Sequence, residues 1–239
     1  MLARVVTVPV AFAEVKELNA LEVESESDPD GSVLLFLHGM GEAGSSLNEL
    51  PKVCIHQTPP FQAILGHLPG TLVIAPQAPP IPNVEDWNWW EYVNDLAGFL
   101  TERYKERRIV ATGFSRGGLG VLQLISTHPE LVQAWAVVDP QPARDQAEAD
   151  LILQNPLLGT KGWVRYGEYR HRNESWKIFS SRLFEYLPKE SGDTTDFSHA
   201  ELAVQAYGGS ALSADPAKKN LYDHLGLRFA VNHSTVRTV

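Results

Sequence analysis

Short apolar runs, separated by stretches whose apolar residues recur every third or fourth position, set the layout of this chain. Residues 4–10 alternate and predict an opening strand, and residues 21–26 alternate apolar with acidic positions, as a half-exposed strand does. Asp28-Pro29-Asp30-Gly31 is a turn. The continuous run VLLFL at 33–37 suits a central strand covered on both faces, and residues 72–75, 109–111 and 134–138 repeat that character. Residues 46–55 predict a short helix interrupted by Pro51, and residues 76–83 are too rich in proline for regular structure. Helical spacing then runs through Trp89, Val93, Leu96, Phe99 and Leu100, with charges from Thr101 onward closing the helix. Leu119, Val121, Leu122, Leu124 and Ile125 give a further helix, to about residue 127, an apolar face. Helices over 143–153, 180–187 and 221–229 and a strand over 163–166 complete the reading.

Strands alternating with helices predict the α/β class: a mainly parallel sheet with helices on both faces. We find no repeat, low-complexity segment or boundary, so one domain over residues 1–239 is expected. In such sheets, active sites lie at the carboxyl ends of the strands. That rule directs attention to the loops following each apolar run.

The formal charge of -9 repels phosphate backbones, and no Lys/Arg cluster is interleaved with aromatics, which argues against a nucleic-acid partner. Residues 53–84 carry no Asp, Glu, Lys or Arg, yet their prolines rule out a membrane helix. The N-terminal stretch fits a first strand better than a signal peptide. A soluble, cytoplasmic protein without a membrane partner is therefore expected. Cys54, the single cysteine, cannot form an internal disulfide, and without an adjacent histidine and acid it is expected to pack in the core. No heptad or other association signal fixes an oligomeric state.

The chemistry concentrates at RIVATGFSRGGLG, residues 108–120. Gly113-Phe114-Ser115-Arg116-Gly117 forms G-x-S-x-G between a strand and a helix, a turn that strains the serine and lifts its hydroxyl to the helix's amino end. A bare strand-to-helix turn is the plainer reading. A nucleophilic serine also needs a base and donors for an oxyanion. His38-Gly39-Met40-Gly41 follows the 33–37 strand, where the Met40 amide together with that of Arg116 would make a two-donor hole; otherwise it is a glycine turn. Among the late histidines, His199 is the candidate base, standing last as the serine-hydrolase order of such folds requires, or else a plain surface histidine; His224 lies within the closing helix and His233 near the end. The dinucleotide pattern G-x-G-x-x-G at 39–44 lacks its context: the next helix is short with Pro51, and no acidic residue follows the next strand. No metal-ligand spacing links the eight histidines.

With LLFLHGMGEAG, TPPF, LVIAPQAP, the tryptophan segment, TGFSRGGLG, HAELAVQAY and LYDHL in that order, the chain resembles α/β-hydrolases of the phospholipase/carboxylesterase and dienelactone-hydrolase-like group. The resemblance implies Ser115 as nucleophile, His199 as base in its usual late place, Met40 and Arg116 as oxyanion amides, and no cofactor. It departs after the 163–166 strand, where the family's aspartate is replaced by GEYRHRNE. The orienting acid is then expected at Asp139, at the end of the 134–138 strand, with Glu174 and Glu168 as alternatives. Trp87 or Asn88 is expected nearer the cleft, with Trp89 and Trp90 beginning a buried helix face. The expected function is hydrolysis of a small or medium carboxylic ester through an acyl-enzyme, with thioesters or small peptides, or a hydrolase-like binding role, as alternatives.

Overall fold

The computed structural model describes residues 1–12, 15–24, 31–80, 89–138, 140–141, 143, 146–154 and 161–165. Within them the apolar runs become β1 (Leu2–Pro9), β2 (Glu17–Glu24), β3 (Val33–Leu37), β4 (Leu72–Gln77), β5 (Ile109–Phe114), β6 (Ala134–Val138) and β7 (Lys161–Arg165). They hydrogen-bond into one sheet of order β1-β2-β4-β3-β5-β6-β7. β1 and β2 pair antiparallel, β2 runs antiparallel to β4, and the pairs from β4 through β7 are parallel. The helices are α1 (Pro59–Ile64), α2 (Val93–Arg103), α3 (Arg116–Thr127) and α4 (Gln146–Gln154). This is the mainly parallel α/β architecture that the hydrophobic pattern predicts.

The continuous runs occupy the middle of the sheet because they must meet covered faces on both sides. Val33, Leu35 and Leu37 of β3 and Ile109 and Ala111 of β5 pack with Leu119, Leu122 and Leu124 of α3 and Leu96 and Leu100 of α2 in the main core. Each fully buried leucine is worth roughly 2 kcal/mol. α3 is buried along residues 116–126, all round rather than on one face, because α2 and α4 flank it above the sheet.

Several boundaries differ from the pattern. β4 continues through Pro76 and Gln77, where proline content predicts irregular chain. Leu72 N–H donates to Ser32 on the β3 side, so residue 76, two alternations on, also turns its nitrogen that way. β3 pairing has ended by then at Leu35 and Ile74, and Pro76 forfeits no ladder bond. Pro51 likewise does not interrupt a helix: it lies in the first turn of a 3₁₀ helix, Leu50–Gln57, where its missing N–H is not needed. α1, which the apolar pattern does not predict, starts on the same device at Pro59 and Pro60. β5 runs on to Phe114, bringing the strand to the residue before Ser115. α4 begins later and β7 earlier than expected. The helices expected over 180–187 and 221–229 lie outside the described residues. No helix among the described residues is long and apolar enough to cross a membrane.

Candidate active site

β3 and β5 are parallel neighbours with Leu37 opposite Gly113, so the chain leaving each strand emerges at the same carboxyl edge. From β5 it enters α3 through Ser115, whose φ of 55° and ψ of -118° lie where a side chain costs about 1–3 kcal/mol. The surroundings fix that geometry. Ser115 N–H donates to Val138 O at 3.0 Å, and Ser115 O accepts from Leu119 N–H at 3.1 Å and Gln141 N–H at 2.9 Å. A β-carbon at Gly113 would meet Gly117 O at 2.2 Å, and one at Gly117 would meet Leu37 O at 1.8 Å. Backbone occupies both places, so the glycines of the pattern let α3 start tight against β3 and β5. The Ser115 hydroxyl forms no capping bond to α3, and the residue is 4% exposed.

From β3 the chain enters His38 and Gly39 and then a 3₁₀ turn, Met40–Glu42. His38 is fully buried, and its ring bridges two main-chain groups. Nδ1 lies 2.6 Å from Gly39 O, and Nε2 accepts from Ala78 N–H at 2.9 Å. The indole N–H of Trp89 donates to His38 O at 3.1 Å, and the Trp89 ring meets the imidazole edge-on at 5.0 Å. Trp89 also presses on α3, since a β-carbon at Gly120 would lie 2.5 Å from it. At the far end of the loop Gly44 N–H donates to Ala78 O, while the Gln77 side-chain amide donates to Glu42 O and Glu49 O, each at 2.8 Å. The extension of β4 past Pro76 thus supplies the anchors for the loop after β3. The sequence pattern passes over Gln77 and Ala78 as irregular chain and Trp89 as plain core; a polar Gln ending an apolar run is the one signal that could have marked them.

Of the site residues expected from sequence, Ser115, Arg116 and Met40 follow adjacent strands at one edge. The Met40 side chain is 59% exposed, whereas Arg116 is buried. His199, Asp139, Glu168, Glu174, Trp87 and Asn88 lie outside the described residues. The chain on either side of Asp139 touches the elbow: Val138 O and Gln141 N–H bond Ser115, and Pro140 Cα would lie 2.9 Å from a β-carbon at Gly118.

Cys54 packs against Phe36, Leu50, Val53 and Ala75, and burial pushes its thiol up to about 11, leaving it protonated and unreactive at neutral pH. A cleft of about 170 Å³ lies against the face of β3 and β5 that carries Leu34, Phe36, Thr112 and Phe114, with Thr58 and Pro59 across it. Ser115, Arg116 and Met40 do not line it.

A family model described as alpha/beta hydrolase fold matches residues 32–216. None of the curated proteins matches the chain. Among solved structures, the chain is similar to a thermostable esterase at 22% identity and a TM-score of 0.51, covering 77% of this chain and 52% of that one. It is also similar to the esterase of Pyrobaculum calidifontis, at 16% identity and a TM-score of 0.52, covering 77% of this chain and 72% of that one. The chain thus spans about half the length of the first esterase. Both likenesses are of fold.

Proposed function

Because the chain belongs to the α/β hydrolase fold family, we propose that it is a serine hydrolase of the phospholipase/carboxylesterase and dienelactone-hydrolase-like group that cleaves small or medium carboxylic esters. The observation that carries the reading is the backbone of Ser115, a strained non-glycine residue at the amino end of a buried helix. Such a conformation persists only where neighbours enforce it, and it places Ser115 at the carboxyl edge where β5 ends beside β3. The esterase names of the two fold neighbours add support for an ester as substrate.

In this mechanism His199 takes the proton of Ser115 as Oγ attacks the ester carbonyl. The amides of Met40 and Arg116 receive the tetrahedral oxyanion. Collapse breaks the C–O bond, His199 returns the proton to the departing alcohol, and the acyl group stays on Ser115. Water, deprotonated by His199, then attacks the acyl-enzyme and releases the carboxylic acid. Asp139 orients the imidazole and balances its charge, a role supported by the contacts of residues 138, 140 and 141 with the elbow.

The test is turnover of a chromogenic short-chain ester by wild type and Ser115→Ala, with labelling by a serine-reactive phosphonate. Turnover and labelling are expected in wild type, and the variant should lose at least ~10³-fold in kcat and take no label. Equal background rates in both proteins, with no label on Ser115, would instead mark a hydrolase-like binding protein. Asp139→Asn should lower kcat by about 10⁴-fold and exceed Glu174→Gln and Glu168→Gln by far; equal mild losses in the three variants would remove Asp139 from the mechanism.

A further inference from the structure

We propose that Met40 is a reversible oxidation site at the edge that carries Ser115: a hydroperoxide converts its thioether to the sulfoxide, and the sulfoxide weakens the binding of apolar acyl chains. The effect on acyl chains rests on the ester-hydrolase reading above; the oxidation itself does not.

The chain holds three sulfur atoms, in Met1, Met40 and Cys54. Methionine ordinarily fills gaps in cores, yet here both methionines stay outside it, Met1 at 69% and Met40 at 59% exposed. Cys54 is the opposite case. Burial pushes its thiol up to about 11, so almost no thiolate meets an oxidant at neutral pH. A thioether has no proton to lose first. Met1 precedes β1, which runs antiparallel to β2 as β2 does to β4, so β1 is parallel to β4 and Met1 lies at the amino edge, opposite the elbow.

Met40 is the sulfur at the elbow's edge. It opens the 3₁₀ turn Met40–Glu42 directly after β3. The residue before it meets the residue before Ser115, since a β-carbon at Gly39 would come 3.1 Å from the Phe114 ring. At Gly41 a β-carbon would meet nothing within 4 Å, so the turn has open space for an added oxygen. The loop is anchored from the other side: Gly44 N–H donates to Ala78 O, and the Gln77 amide donates to Glu42 O. These bonds do not involve the Met40 side chain. Oxidation therefore changes the surface that the loop presents and leaves its backbone in place.

In the reaction a sulfur lone pair attacks the terminal oxygen of the hydroperoxide, and the S–O bond forms as the O–O bond breaks. Sulfur loses two electrons. The peroxide is reduced to its alcohol, or to water where hydrogen peroxide is the oxidant, and the departing oxygen takes up the proton of the transferred one. A flexible apolar side chain thus becomes a polar one with a strong acceptor oxygen. Methylenes of an acyl chain that would be buried against the thioether now displace water from a polar group, and the contact is lost. Methionine sulfoxide reductases reverse the change: two thiols become a disulfide and the oxygen leaves as water.

The experiment treats the protein with hydrogen peroxide, reads the Met40 and Cys54 peptides by mass spectrometry, and assays p-nitrophenyl acetate and hexanoate before and after. Met40 should gain one oxygen atom before Cys54 gains any. KM for the hexanoate should rise about fivefold, the loss of roughly one to two methylene contacts, and KM for the acetate by less than about twofold, with kcat within about twofold for both. The two methionine sulfoxide reductases with dithiothreitol should restore the original values. Met40→Leu, compared only with itself before and after treatment, should show no response. No oxygen on Met40, a loss carried by kcat, equal effects on the two esters, or an undiminished response in Met40→Leu overturns the proposal. Ser115→Ala separates the two claims. Wild type no faster than Ser115→Ala on either ester removes the ester-hydrolase reading and the acyl-chain effect with it, whereas Ser115-dependent turnover that ignores an oxidised Met40 removes only the role of Met40.

Discussion

Ser115 carries a Cβ in a backbone conformation that disfavours one, with φ 55° and ψ -118°. Ser115→Ala keeps the strain and Ser115→Gly relieves it. Relief of about 1–3 kcal/mol, less the roughly 0.5–1 kcal/mol that glycine costs through chain entropy, leaves the Gly variant more stable than the Ala variant by about 1 kcal/mol. Thermal unfolding should show that as a Tm about 2–4 °C higher, and a Gly variant no more stable than the Ala variant would mean that the backbone is not strained there. The neighbouring glycine behaves oppositely. Gly117→Ala drives a β-carbon into Leu37 O and is expected to cost roughly 3 kcal/mol or more, whereas Gly41→Ala, with nothing within 4 Å, should change stability by less than about 1 kcal/mol. Urea unfolding of the two variants checks the contrast. These glycine requirements are legible in the sequence because the elbow is a local turn. The bonding of His38 is not, since its Nε2 partner lies forty residues away in sequence.

Among elements, one buried carboxylate bridges β1, β2 and the end of α2. Glu22 of β2 is 1% exposed and receives Arg4 from β1, Arg103 from the last turn of α2 and the hydroxyl of Tyr104 at 2.5 Å. Burial alone would raise its pKa, but the donors Arg103, Tyr104 and Arg4 outweigh it and hold the carboxyl below the usual carboxylate range. Glu22→Gln is expected to cost roughly 2 kcal/mol near neutral pH. Because the folded value is the lower one, this stabilisation is fully present above the unfolded pKa, about 4.3, and is lost as the pH falls through the folded value. Chemical denaturation of both proteins from pH 7 into the acid range should therefore show the gap narrowing. A gap that widened there would contradict the assignment. The apolar-acidic alternation of 21–26 predicts Glu22 on an exposed face; the structure buries it because the end of α2 closes over β2, a packing event that strand periodicity does not encode.

At the scale of the molecule, strand order decides both protection and chemistry. β1 pairs on one side only among the described residues, and most of its side chains are exposed, while β3 lies between β4 and β5 in the core. Amide hydrogen exchange should be slowest in β3 and β5 and fastest in the alternate amides of β1 that face away from β2; uniform protection across the sheet would show that another surface covers that edge. The same order puts the loop after β3 beside the elbow after β5 and brings β4 past Pro76 to hold that loop. The sequence by itself determined the α/β class, the central strands and the glycine-fenced serine, because apolar periodicity and steric demands at a turn act over a few residues. Only the tertiary structure decided that Gln77, Ala78 and Trp89 anchor the loop after β3, that Glu22 is buried and that Pro76 continues a strand. Each of these depends on which distant segments become neighbours, and that is fixed by the pairing and packing of the whole sheet.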